Sequence, residues 1–316
     1  MKVLFYCLLP CLLVAGLALY GNSASRWIAA EFPPIGDFVE FDGLKMHFLD
    51  SGQSESGKST KTIVLLHGAS TSLMDFQTNL IADLSESYRV IAIDRPGLGY
   101  SERGDTWLNP SEQAQRIQST LRSLGIENAV WIGHSWAGSV VLAGMLEYPQ
   151  QVTAGVLLAG ATHPWDTGVS WHVAITNQPL IGRLFAELVV PVAGAAALES
   201  AVNTVFTPEK VPENYVDETG VKLSLRPQTF RNNAADIYHL SDWLKTQTPR
   251  YDTLKQPLLM ITGTADTVVP SWNHAERIAK QVPGAQWQRI DGAGHALHHS
   301  QTNTVVMHIK QFLVNQ

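Results

Sequence analysis

The chain has 316 residues, 45% of them hydrophobic and 16% charged, with a net charge of −6. That length holds one large domain or a domain with an insert, and so few charges exclude long disordered charged tracts. With 22 Lys and Arg against 28 Asp and Glu and no local basic cluster, the sequence lacks the basic face of a nucleic-acid binder. The two cysteines, Cys7 and Cys11, lie at the extreme N-terminus, so the main body holds no disulfide framework, Cys-based zinc site or iron–sulfur centre.

Residues 1–22 read as a hydrophobic membrane anchor or signal segment. Val3 to Tyr20 carries no charge, and as a helix it is about 27 Å long, just enough to cross a bilayer core. An uncleaved anchor fits this length best, although Pro10 and Gly16 weaken it. The alternative is a cleaved signal, with mediocre cut sites around Asn22-Ser23-Ala24-Ser25 and a secreted or periplasmic product. Pro10 in front of Cys11 does not suit a lipoprotein cut. Lys2 and the terminal amine place the start in the cytoplasm and the body on the far side, an orientation that Arg26 opposes. Residues 23–36 read as a linker ending in Pro33-Pro34.

From Asp37 the pattern changes. Asp37–Phe41, Asp42-Gly43 and Leu44–Asp50 predict a strand, a tight turn and a second strand. Thr62–Leu66, Val90–Ile93, Val130–Ile132, Val156–Ala159, Leu258–Thr262 and Gln286–Ile290 predict further strands, most of them short β-branched runs of the kind buried on both faces. Pro110–Leu124, capped by Asn109, and Trp136–Tyr148 predict helices between them. The fold class is therefore α/β, a mostly parallel sheet with helices on both faces. The rhythm breaks after Ala159, where prolines scatter through the chain. Residues 37–159 and 236–316 are the expected core, and 160–235 an inserted, mostly helical cap.

Gly52-Gln53-Ser54-Glu55-Ser56-Gly57-Lys58-Ser59 matches the phosphate-binding GxxxxGK[ST] pattern, but Thr60–Leu66 after it reads as a strand rather than the helix whose N-terminus would cradle phosphate. It reads as a Ser/Gly loop. The chemistry sits elsewhere. Gly133-His134-Ser135-Trp136-Ala137-Gly138 falls between a strand and a helix in the G-x-S-x-G pattern, with Ala137 in place of the last glycine. A serine needs a base to act as a nucleophile. His295, in Gly292-Ala293-Gly294-His295, is the candidate; His298 and His299 are close rivals, and a metal site built from the three histidines is conceivable. Asp266, directly after the strand Leu258–Thr262, is the candidate acid from the order Ser, Asp, His; Asp291 and Asp166 are rivals. Two backbone N–H groups must face a developing oxyanion. Trp136 is expected to give one, and Ala69, or next to it Ser70, the other. His67 reads as structural.

The His67-Gly68 turn, the Asp94–Ser101 segment DRPGLGYS, the Ser135 turn, Gly263–Pro270 and the His295 loop occur in the order and spacing of the α/β-hydrolase family, which the chain resembles from about Phe38 to Leu313. The resemblance implies an eight-stranded sheet with a cap after strand six, a Ser135–His295–Asp266 triad with Ala69 and Trp136 at the oxyanion, a structural Asp94–Ser101 segment, and no metal or organic cofactor. Ser135 separates the chain from dehalogenases and epoxide hydrolases of the family, which use aspartate there. Carbon–carbon bond hydrolases and proline iminopeptidases of the family usually carry a glycine-richer loop than His67–Ser70. The expectation is a carboxylic ester hydrolase acting on a small to medium apolar molecule; a perhydrolase, lactonase, amidase or non-catalytic receptor remains open, as does the oligomeric state. Trp165, Trp171, Phe185, Phe206 and the small run Val192–Ala197 read as mostly the cap's own core, with part of them facing substrate.

Overall fold

The computed structural model describes residues 2–52 and 61–315. The phosphate-loop look-alike, apart from Gly52, lies outside them. Eight strands form one sheet: β1 (Asp37–Phe41), β2 (Leu44–Asp50), β3 (Thr62–Leu66), β4 (Arg89–Ile93), β5 (Ala129–His134), β6 (Val152–Leu158), β7 (Leu258–Gly263) and β8 (Gln286–Ile290). Their order is β1-β2-β4-β3-β5-β6-β7-β8. β2 pairs antiparallel with both β1 and β4, and every later pairing is parallel.

The period-2 geometry of strands explains the two cores. Val64 and Leu66 of β3 join one apolar cluster with Trp131, while Ile63 and Leu65 join the other with Val130 and Ile132. All six residues of β5 are buried, which is why its centre, Val130–Ile132, reads as an apolar run. Helices Pro110–Ser123 and Ala137–Glu147 cover the Trp131 face, and the C-terminal helix Thr302–Val314 covers the opposite one. Asn109 accepts from the Glu112 N–H while the Glu112 carboxylate accepts from the Asn109 N–H, so the cap foreseen at Asn109 is a reciprocal one.

Two expected boundaries need correction. The stretch 23–36 is not a linker throughout: the N-terminal helix runs from Lys2 to Glu31, because Ser23–Glu31 contains no breaker until Pro33-Pro34. Its last turns dock on the body. Phe32 is buried, the Tyr100 hydroxyl donates to the Phe32 carbonyl, and Lys222 pairs with Glu31 at 2.6 Å. Nor does the insert end at Ala235. A single helix runs from Pro227 to Gln247, and its Asp236, Leu240 and Leu244 are buried in the main body. The cap also contains the helices Trp171–Thr176, Pro179–Leu184 and, after one wide turn at Phe185–Val189, Val190–Phe206, followed by the short helices Tyr215–Glu218 and Val221–Leu225.

Trp131 is the largest fully buried side chain at the middle of the sheet. Trp131→Ala should therefore cost about 3–5 kcal/mol in urea unfolding; a loss under about 1 kcal/mol would mean that the layer between β5 and Ala137–Glu147 does not hold the fold together.

Candidate active site

Ser135 follows directly on β5, at the end of the sheet where parallel strands hand over to helices. Its backbone lies in the left-handed region, with φ of 53°, a conformation that costs a non-glycine residue on the order of 1–3 kcal/mol. The turn is held on both sides. The Ser135 N–H donates to the Leu158 carbonyl at 2.9 Å, and its carbonyl accepts from the N–H groups of Gly138 and Ala161 at 3.0 and 2.8 Å. A Cβ on Gly133 would stand 2.7 Å from the Ala137 carbonyl, so the glycine at that position is a packing requirement.

The structure brings Ser135, His295 and Asp266 into one hydrogen-bonded line. His295 Nδ1–H donates to Asp266 Oδ2 at 2.8 Å, which leaves Nε2 bare to accept from the Ser135 hydroxyl at 2.8 Å. The other Asp266 oxygen accepts from the backbone N–H groups of Val268 and Val269 at 2.8 and 2.9 Å. All three side chains are nearly withdrawn from solvent. The rivals for the acid lie elsewhere: Asp166 is exposed, and Asp291 accepts from the Thr264 hydroxyl at 3.0 Å.

The His295 loop is fastened from several directions that the sequence does not show. The N–H groups of His295 and Ala296 donate to the Val205 carbonyl in the cap at 3.1 and 3.0 Å. Glu209 accepts from the Gly294 N–H at 2.9 Å and from Ser300 and Gln301. His134 Nε2–H donates to the His295 carbonyl at 3.2 Å. Glycine at 294 is a packing requirement, since a Cβ there would stand 2.5 Å from the Thr207 carbonyl, and glycine at 292 accommodates a positive φ of 71°.

The expected oxyanion donors adjoin Ser135. A Cβ on Gly68 would lie 3.1 Å from the Ser135 Cβ, so the His67–Ser70 loop borders the serine. The Ser70 N–H is committed to Asn233 Oδ1 at 2.7 Å, so of the two expected donors in that loop Ser70 is already spent. Arg95 touches both the His67–Gly68 turn and Trp136. Its guanidinium donates to the carbonyls of His67 and Gly68 at 2.9 and 3.1 Å, and lies 4.2 Å over the Trp136 ring. Asp236 accepts from Arg95 and Arg103 at 2.9 and 2.6 Å, while its carbonyl accepts from the Trp136 indole at 3.0 Å. His67 is a structural partner here: its Nε2 accepts from the Arg95 N–H at 3.0 Å, and burial, then Arg95, pushes its pKa down to about 4.

The three-histidine set does not assemble. His295 faces Ser135, while His298 and His299 both donate through Nε2–H to Asp75 at 2.9 Å. Asp75, His298 and His299 hold one ligand atom each within 4.8 Å of one another, the residue types of a divalent-metal set. As they stand, two imidazoles and the Tyr215 hydroxyl, at 3.2 Å, satisfy the carboxylate. Burial pushes Asp75 up, but His298 and His299 outweigh it and keep it well below the usual carboxylate range. A cleft of about 1030 Å³ touches none of the triad; it opens between the N-terminal helix, Gly97–Asp105 and the start of the helix Pro227–Gln247.

Residues 61–302 match the family model described as alpha/beta hydrolase fold. Among curated proteins the chain is 28% identical to a 2-hydroxy-6-oxononadienedioate/2-hydroxy-6-oxononatrienedioate hydrolase of Paraburkholderia phymatum, over 80% of this chain and 85% of that one. It is 26% identical to a cis-3-alkyl-4-alkyloxetan-2-one decarboxylase of Shewanella oneidensis, over 87% of each chain. A thermophilic esterase from Thermogutta terrifontis superposes with a TM-score of 0.72 at 20% identity, over 89% of this chain and 99% of the other, a likeness of fold alone.

Burial also holds His298 at about 4 and His134 well below 6.5. The folded chain thus keeps these imidazoles and His67 neutral where the unfolded chain would protonate them. Stability is full above pH 6.5 and falls as the pH drops toward 4, because the unfolded state then binds more protons. The urea midpoint should be lower at pH 5 than at pH 7.5, with a loss on the order of 1–2 kcal/mol each for His67 and His298. An unchanged midpoint would mean that these histidines take up protons in place.

Proposed function

Because the chain belongs to the alpha/beta hydrolase fold family, we propose that it is a serine hydrolase cleaving carboxylic esters of small to medium apolar compounds through an acyl-enzyme, held at a membrane by its N-terminal helix. The observation that carries this is the unbroken line Ser135–His295–Asp266, with both bonds at 2.8 Å. His295 takes the Ser135 proton as Oγ attacks the ester carbonyl, and Asp266 steadies the imidazolium. The N–H groups of Ala69 and Trp136 receive the oxyanion. His295 then returns the proton to the leaving alcohol, and a water activated by the same imidazole releases the acid.

The apolar preference is supported by the charges around the serine. Arg95, the guanidinium on Trp136, is fully buried and spends four of its five N–H donors on two carbonyls, Gln113 and Asp236, so it does not reach out to an anionic substrate. The membrane reading is supported by the uncharged run Val3–Tyr20, with the body on the non-cytoplasmic side. A second reading takes its support from the Paraburkholderia relative, a hydrolase of a dienedioate; a dianion of that kind would need free cations at the site.

A fluorophosphonate probe should label the wild-type chain and not Ser135→Ala. On nitrophenyl esters kcat/KM should rise about fourfold for each added CH₂, equivalent to about 0.8 kcal/mol, until the pocket is full, and then drop. Highest rates on acetate, or on anionic esters, would contradict the apolar pocket. Asp266→Asn should lower kcat on the order of 10⁴-fold by favouring the wrong histidine tautomer; near-normal turnover would place the acid elsewhere.

A further inference from the structure

The helical segment Pro179–Phe206 is turned inside out for a water-soluble protein. A surface helix normally buries its apolar stripe, yet only 17% of this segment's most apolar stretch is buried. Leu180, Ile181 and Val192 are 70, 58 and 54% exposed, and Leu184 and Val189 are exposed beside them. The run Leu188–Leu198 contains no charge. Trp171, also exposed, stands over Phe185 with ring centroids 5.8 Å apart. The small-residue run Val192–Ala197, expected mostly in the cap's core, therefore looks outward.

The N-terminal helix meets this surface at a telling level. Its uncharged run ends at Tyr20, and at Gly21 it presses on the cap: a Cβ there would stand 2.7 Å from the Glu187 carbonyl and 3.2 Å from Pro191. The point at which an 18-residue span, Val3–Tyr20, would leave a bilayer is thus the point at which the chain touches Glu187 and Pro191, between Leu184 and Val192. We infer that the outer face of the cap, from Leu180 to Ala197, lies in the surface of the same lipid bilayer that the N-terminal helix crosses.

The inference rests on the membrane reading of residues 3–20 but not on the ester chemistry. An apolar helix face sinks about 5–10 Å into the boundary between headgroups and acyl chains, and the exposed Trp171 suits that depth. The same helix ends at Val205 and Phe206, whose carbonyls lie against the His295 loop, so the surface in the lipid is continuous with the clamp on the base.

The test uses the full chain with Cys7→Ala and Cys11→Ala, which frees it of other thiols. Ile181→Cys, Val192→Cys and, as a control at the far end of β5, the exposed Glu127→Cys are each labelled with an environment-sensitive fluorophore and reconstituted into phosphatidylcholine vesicles. Lipids carrying a nitroxide near the headgroup should quench the labels at 181 and 192 at least twofold and leave the label at 127 unchanged. A chain that floats with the vesicles but shows all three labels equally unquenched overturns the inference and leaves the anchor standing. A chain that does not float overturns both. Labels at 181 and 192 that are dry, unquenched by lipid and cross-linkable between chains overturn it in favour of a second copy covering this face.

Discussion

Everything at the site depends on one strained residue. Ser135 is held at a positive φ without being glycine, and that conformation points its hydroxyl away from the sheet toward His295. The strain is held by three backbone hydrogen bonds to the turn and to the end of β6, and by the small residues at 133 and 137, which let the helix start directly against the strand. β5 supplies the rigid base: it lies at the centre of the sheet with every residue buried. A reactive side chain on such an element needs little reorganisation when a substrate arrives.

Around that serine the fold gathers segments far apart in sequence. The buried Asp236, on the helix shared by cap and core, ties Arg95 and Arg103 together and receives the Trp136 indole. Arg95 in turn grips the carbonyls of the loop that carries Ala69. On the other side Val205 and Glu209 of the cap hold the His295 loop. The cap is thus a part of the site's framework: moving it would disturb both the His295 loop and the turn at His67-Gly68. A buried charge cluster of this kind is a demanding device, since removing one partner strands the others without water.

Much of this was legible in the sequence because it is local. β1, β2, β3 and β8 end where turn residues and apolar runs place them, and the serine, the histidine and the acid announce themselves by glycine-flanked turns directly after strands. What was not legible is non-local. No pattern near Asp236 indicates that it meets Arg95, 141 positions away, nor that His298 and His299 turn from His295 to Asp75. Pro33-Pro34 marks a break in the chain, but Ser23–Glu31 before it contains no helix breaker and continues the N-terminal helix. The outward face of Val192–Ala197 was hidden for a different reason: composition reports that a segment is apolar, and only three-dimensional packing reports which side of it meets the protein.

The proposed chemistry requires a covalent acyl intermediate on Ser135. Rapid acid quenching of the chain with a slow apolar nitrophenyl ester, followed by intact and peptide mass spectrometry, reads this directly. An added acyl mass is expected on the peptide containing Ser135, reaching nearly one per chain within the first turnover. Turnover of the ester with no adduct on Ser135, or an adduct on another residue, would contradict it.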